Sequence, residues 1–189
     1  MMSCVSPLRF SLTPLVASIL LAGCVVSGDD SVIPPRYYGD ADAPQLGSLP
    51  VVRVIDGDTI EVDMEGVTER VRMKGVDTPE LHPQDNPSVP EPYAEAARAY
   101  TSTHVGTEVD LEFDSRCGAT PLVGCRDAFD RLLAYVRIVD GSDLGASLLA
   151  EGLARVYVYQ GESFDRKALY LELQAQAQAD SVGLWSGTP

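Results

Sequence analysis

The stretch Val51-Val52-Arg53-Val54-Ile55-Asp56-Gly57-Asp58-Thr59-Ile60-Glu61-Val62-Asp63-Met64 decides the fold. Apolar and polar residues alternate on both sides of Asp56-Gly57-Asp58, a period that puts successive side chains on opposite faces of an extended chain. Asp-Gly tolerates the positive φ of a tight turn, so the stretch predicts a hairpin over 51–56 and 59–64. A third strand follows over 68–76, with Val71 and Met73 facing away from Arg72 and Lys74. Gly75 marks a bulge or a close backbone approach. Pro83, Pro87, Pro90 and Pro92 make 82–92 a loop.

Downstream the period changes. Ala94, Ala97 and Tyr100 have helical spacing and predict a helix over 92–104. Val109, Leu111 and Phe113 alternate in a strand over 108–114, and 132–139 reads as another. Ser142 is placed to cap a helix over 143–151 that stops at Gly152. Val156 and Val158 predict a short extended piece, and Leu169, Leu173 and Ala177 a last amphipathic helix over 164–181. Five strands with about three helices inserted between and after them fit an α+β domain: a small barrel packed on helices.

The N-terminus reads as an address. Residues 1–24 carry one charge, Arg9, ahead of an apolar run of about a dozen residues, too short for a comfortable membrane span. The run ends in Leu21-Ala22-Gly23-Cys24, which resembles a bacterial lipobox with Cys24 as the lipidated residue. The alternatives are an ordinary cleaved signal peptide and an uncleaved anchor. Val25 after the cysteine favours the outer membrane if the organism has one. Residues 25–50 are rich in Pro, Gly and Asp without apolar periodicity and predict a tether, leaving 51–189 as the domain. The expected location is therefore extracytoplasmic, lipid-anchored to the cell envelope.

Of 189 residues, 14 are Lys or Arg and 28 are Asp or Glu, a net charge of −14. From residue 51 onward 12 basic residues face 24 acidic ones, a net −12. Simple electrostatic adhesion to nucleic acid or anionic lipid is disfavoured. Two histidines leave little room for a His-rich metal site, and four cysteines are too few for a disulfide-built scaffold.

Three carboxylates stand at informative places: Asp58 in the hairpin, and Asp77 and Glu80 after the third strand. Carboxylates with a backbone carbonyl are hard oxygen ligands suited to Ca²⁺. Arg72 and Arg131 lie on or beside strands, and a guanidinium matches phosphate oxygens and the charge that grows on them in a displacement. Taken singly, each signal is first a turn or a solvated face; Tyr157 and Tyr159 share one face and suit packing as well as base stacking.

The ordered set is more specific. Val54-Ile55-Asp56-Gly57-Asp58-Thr59, Arg72-Met73-Lys74-Gly75-Val76-Asp77-Thr78-Pro79-Glu80, Asp130-Arg131-Leu132-Leu133-Ala134-Tyr135, Gly152 to Tyr159 and Gly183-Leu184-Trp185-Ser186 together resemble the staphylococcal nuclease (thermonuclease) family. The resemblance covers 51 to about 187. It implies a five-stranded OB-type barrel with three helices, acting as a monomer. It implies a Ca²⁺-dependent phosphodiesterase that cleaves DNA and/or RNA to 3′-phosphates. Asp58 and Asp77 would hold Ca²⁺ with the carbonyl of Thr78. Glu80 would act on the attacking water, Arg72 and Arg131 would grip the scissile phosphate, and Tyr157 and Tyr159 would lie near the nucleotide. The alternative is a catalytically inactive OB-type module that binds nucleic acid or protein at the surface.

The chain departs from the family in three places. The domain is acidic, with only two lysines, Lys74 and Lys167. Asp130 stands where the family often has Gly and is placed to pair with Arg131; Phe129 replaces a common Tyr. Cys117 and Cys125 bracket a short loop before Arg131, and an oxidising compartment predicts a disulfide there. With so few cations, substrate binding at saturating Ca²⁺ is expected to depend weakly on salt. A log–log slope as steep as about −4, that of six phosphates on a single strand, would overturn this.

Overall fold

The computed structural model describes residues 45–187. The predicted hairpin is there: β1 (Gln45–Val54) pairs antiparallel with β2 (Thr59–Met64), with Val54 opposite Ile60 across the Asp56-Gly57-Asp58 turn. β2 continues antiparallel to β3 (Val67–Met73). The chain then makes a short β4 (Val76–Asp77), helix α1 (Ala94–His104), β5 (Glu108–Glu112), a one-turn α2 (Pro121–Gly124) and β6 (Leu132–Arg137). Helix α3 (Leu144–Ala150), β7 (Arg155–Val156) and helix α4 (Lys167–Ala179) complete it. β6 pairs parallel with β3 and antiparallel with β5, and β5 returns to β1, so the sheet closes in the order β1-β2-β3-β6-β5. This is the five-stranded OB-type barrel of an α+β domain, with β4 and β7 forming a separate two-stranded ladder. Ile60, Val62, Val71, Leu111, Leu132 and Val136 fill the interior with no exposed surface.

Three sequence expectations are corrected. Gln45–Pro50, read as tether, are strand. The signal was hidden because Ser48 at φ 53 interrupts the register, so that Leu46 and Leu49, three apart instead of two, both pack on the core. The third strand stops at Met73, since Gly75 turns the chain at φ 77 before β4. A Cβ at Gly75 would lie 2.6 Å from the Phe164 ring, so a side chain is excluded by space as well as by conformation. The α3 cap is Asp143 rather than Ser142: the Asp143 carboxylate accepts from the amides of Gly145 and Ala146. A fourth, short helix, α2, lies inside the loop closed by Cys117 and Cys125, which are joined as a disulfide with Cα atoms 5.2 Å apart. Residues 1–24, including Cys24, and most of the tether segment lie outside the described residues.

Asp143 also joins the helices to the barrel. Its Oδ2 accepts from Arg166 Nη1 at 2.6 Å and from the Tyr170 hydroxyl at 2.7 Å. Arg166 is 1% exposed, lies 2.7 Å from Glu112 Oε2 on β5, and stacks its guanidinium over the Tyr135 ring of β6. Buried charges hold only when every partner is present. Arg166→Met is therefore expected to lose about 3–5 kcal/mol by leaving Asp143 and Glu112 uncompensated, measured by urea unfolding. A loss below about 1 kcal/mol would show that the network is dispensable.

Candidate active site

The site starts at the hairpin turn. Ile55 donates its amide to Thr59 O at 2.9 Å, and Met73 donates to Asp58 O at 2.8 Å, tying the turn to the end of β3. The Thr101 hydroxyl of α1 donates to Gly57 O. Gly57 fits because a Cβ there would lie 2.8 Å from both Ala97 and Thr78. These contacts bury Asp58, which is 3% exposed. Its Oδ2 accepts from the Thr78 amide at 2.7 Å and from the Thr78 hydroxyl at 3.0 Å.

Arg72 sits between two of the acids. Its Nη1 is 2.7 Å from Asp58 Oδ2 and its Nη2 donates to Asp77 Oδ1 at 2.7 Å. Nη1 also bonds the Val76 carbonyl, so β3 and β4 are stitched together by the same guanidinium. Asp77 is still raised from its ordinary value: burial raises it, Arg72 lowers it, and the Asp58 charge raises it again. Glu80 at the rim is raised first by partial burial and then by Asp58, with Arg72 opposing and Asp77 and Glu91 adding to the rise. Asp56 is pushed up to about 7, by burial first and by the Asp58 charge second. The acids thus crowd one another electrostatically. Glu91 was not foreseen. Its Oε2 accepts the Glu80 amide at 3.0 Å while its own amide donates to Glu80 O, closing the Pro-rich loop on Glu80.

Arg131 enters from the start of β6. Asp130, expected to pair with it, instead lies 3.5 Å from Arg126, with 87% of its side chain exposed. Asp130 has φ 62, which turns it outward and accounts for Gly being the easier residue there. The partner of Arg131 is Asp127: Oδ2 accepts from Nε at 2.7 Å and Oδ1 from the backbone amide at 3.0 Å. The Asp-x-x-x-Arg spacing was visible, but nothing in it distinguished Asp127 from Asp130. Phe129, 77% exposed, lies beneath the Arg131 guanidinium at 5.5 Å.

One cleft of about 860 Å³ is lined by Arg72, Asp77, Glu80, Arg131, Tyr157 and Tyr159. Asp58 and Thr78 are buried and do not line it, Asp58 reaching the cleft through its pair with Arg72. The structure therefore gathers residues from β3, β4 and the loop after it, the residue before β6, and the segment after β7, up to 87 positions apart, on one surface. Tyr157 is placed by its amide bond to Gly75 O, and both tyrosines are about half exposed. His82 and His104 cap local carbonyls at Pro87 and Tyr100 and stay out of the lining.

The donor set suits a divalent cation in type. Asp58, Asp77 and Glu80 are hard oxygen ligands, and the Asp58 charge adds to the proton affinity of Asp77 and Glu80, a condition a cation relieves. Among the described residues no three His, Cys, Asp or Glu side chains already converge at metal-binding distance.

Burial raises the Asp127 carboxyl, but the bonds from the Arg131 side chain and from the amides of Arg131 and Phe129 outweigh it and hold it below its ordinary value. A depressed folded-state value stabilises above the unfolded value of about 3.9 and is lost as pH falls through the folded one. Asp127→Asn is expected to be less stable than the parent at neutral pH, and the difference to close in acid. A gap that stays constant down to acid unfolding would refute that origin.

The comparisons agree with this architecture. Residues 70–187 match the model of the family described as staphylococcal nuclease homologue. The chain is similar to a thermonuclease of Staphylococcus intermedius, 38% identical over 71% of this chain and 74% of that protein. A thermonuclease of Staphylococcus hyicus is 37% identical over 72% and 74%. Endonuclease YncB of Bacillus subtilis is 38% identical over 75% of this chain and 63% of its own length. With the family model covering most of the described domain, and two thermonucleases 37–38% identical over more than two thirds of both chains, the chain belongs to the staphylococcal nuclease family.

Proposed function

We propose that the protein is a Ca²⁺-dependent nuclease that hydrolyses phosphodiester bonds in DNA and/or RNA and leaves 3′-phosphates. The observation that carries this reading is the convergence of Arg72, Asp77, Glu80 and Arg131 on one cleft, with Asp58 clasped to Arg72 behind it. Relatives named thermonuclease and endonuclease support it.

Asp58, Asp77 and the carbonyl of Thr78 are the residues that would hold Ca²⁺. When bound, the ion would supply positive charge beside the phosphoryl oxygens. Glu80, at the cleft rim, takes the proton of the attacking water; its carboxylate must be ionised, which its acidic neighbours make harder and Arg72 easier. The water oxygen bonds to phosphorus, the bond to the 5′ oxygen breaks, and the departing oxygen is protonated from solvent. Arg72 and Arg131 face the negative charge that grows on the phosphoryl oxygens. Both are held rigid beforehand, Arg72 by Asp58 and Asp77 and Arg131 by Asp127, so little reorganisation is needed as charge develops. Tyr157 and Tyr159 offer ring faces and hydroxyls to the nucleotide. The same reading puts the domain outside the cytoplasm on a lipid at Cys24, as a monomer. It rests on the lipobox-like tetrapeptide and agrees with a disulfide at Cys117 and Cys125. Mass spectrometry of the mature N-terminus would detect the acylated cysteine; an unmodified Cys24 would end that part.

The direct test follows cleavage of single-stranded DNA with Ca²⁺, with EDTA, and with Glu80→Gln. Ca²⁺-dependent cleavage to 3′-phosphate ends is expected, with turnover down about 10²-fold or more in the variant. No cleavage by folded protein at millimolar Ca²⁺ would favour the inactive binding module instead.

A further inference from the structure

The cleft holds more positive charge than the chemistry uses. Arg72 is engaged by Asp58 and Asp77, Arg131 by Asp127, and Arg126 by two bonds of 3.1 Å to Glu69 on β3. Two further cations line the same cleft, Lys74 and Arg116. Lys74 takes part in no ion pair among the described residues. Arg116 has 58% of its side chain exposed, and its nearest carboxylates, Asp114 and Asp165, are at 3.7 and 3.8 Å, outside hydrogen-bond range for those charge pairs.

Both are carried on fixed backbone. Lys74 sits in the turn between β3 and β4, its amide bonded to Ala134 O at 2.9 Å and its neighbour Gly75 pressed against Phe164. Arg116 lies between Ser115, whose amide and hydroxyl bond Asp165 at 2.6 and 2.7 Å, and Cys117, buried and disulfide-bonded to Cys125. In a domain of net −12, Lys74 without an ion pair and Arg116 with its carboxylates only at long ion-pair distance, both set on fixed backbone in a concave wall, leave N–H donors that the oxygens of an anion can take.

We propose that Lys74 and Arg116 form a second phosphate-binding locus in the cleft, beside the scissile position, that takes the backbone phosphates of neighbouring nucleotides. The inference rests on the nuclease reading and deepens it. The locus makes the enzyme select polynucleotides over dinucleotides. Lys74 supplies a compact charge and Arg116 a two-pronged donor, neither of which reads bases.

The test compares the full chain with the Lys74→Ala/Arg116→Ala double variant on dT2 and dT12, with kcat and KM measured separately. The KM for dT12 is expected to rise about tenfold, and its log–log salt slope to flatten by about 1.4, two single-strand phosphates at 0.7 each. The KM for dT2 is expected to move less than twofold. Lys74→Arg with Arg116→Lys should restore most of the dT12 affinity. Equal losses on both lengths, or no loss on dT12, would overturn the locus. Fluorescence anisotropy of labelled dT12 in EDTA separates the two readings. If the parent cleaves nothing yet binds dT12 more tightly than the double variant, the locus stands and the nuclease reading falls. If both bind alike, the locus falls.

Discussion

Asp143 is the residue on which the rest of the molecule depends. One of its oxygens caps the start of α3 by accepting two backbone amides; the other receives Arg166, just ahead of the last helix, and Tyr170 within it. Arg166 in turn reaches Glu112 on β5 and covers Tyr135 on β6. A carboxylate this deep is tolerable only because each oxygen is paired, and that requirement sets where α3 and α4 lie. The arrangement extends to the cleft. Gly145, the first amide capped by Asp143, approaches Val76 so closely that a Cβ would lie 2.8 Å from its side chain. Val76 is the residue before Asp77. The core network thus sets the height of β4, and β4 presents one of the two acids that clasp Arg72.

The site is an exercise in crowded charge. Asp56, Asp58, Asp77, Glu80 and Glu91 fall within one short reach of space, and burial first, with the Asp58 charge adding to it, raises Asp56, Asp77 and Glu80. Arg72 answers two of them directly. Such a cluster is costly in a folded protein without counter-charge, which is why the donor set points towards a divalent cation and a polyanion brought together by it. The overall acidity of the domain makes the local arrangement of its few cations matter more than their number. Arg131 is held by Asp127 and underlaid by the Phe129 ring, so its direction is set by packing as well as by charge.

Much was legible from residues alone. The alternation about Asp56-Gly57-Asp58 was enough for the first hairpin, because a two-residue period in a half-buried strand is imposed by the pleat. The helical repeats of Leu169, Leu173 and Ala177 sufficed for α4 for the analogous reason. The start of β1 was not legible, since the interruption at Ser48 converts a two-residue period into a three-residue one. The choice of Asp143 over Ser142 as the cap was equally hidden. Both residues cap well, and only the position of Arg166 and Tyr170 decides between them.

What the sequence by itself determined was the set of groups: which acids, which arginines, which turns, and the order that identifies the family. Local rules suffice there, because period, turn propensity and motif spacing act over a few residues. What the tertiary structure decided was partnership. Asp127 rather than Asp130 holds Arg131, since the positive φ at Asp130 turns that side chain away. Glu91 reaches back to the Glu80 backbone across eleven residues of loop. Lys74 and Arg116 come to share one wall through the disulfide loop and the turn at Gly75. The first two pairings are set by loop backbone, whereas the third arises from barrel closure, which is a property of the whole chain.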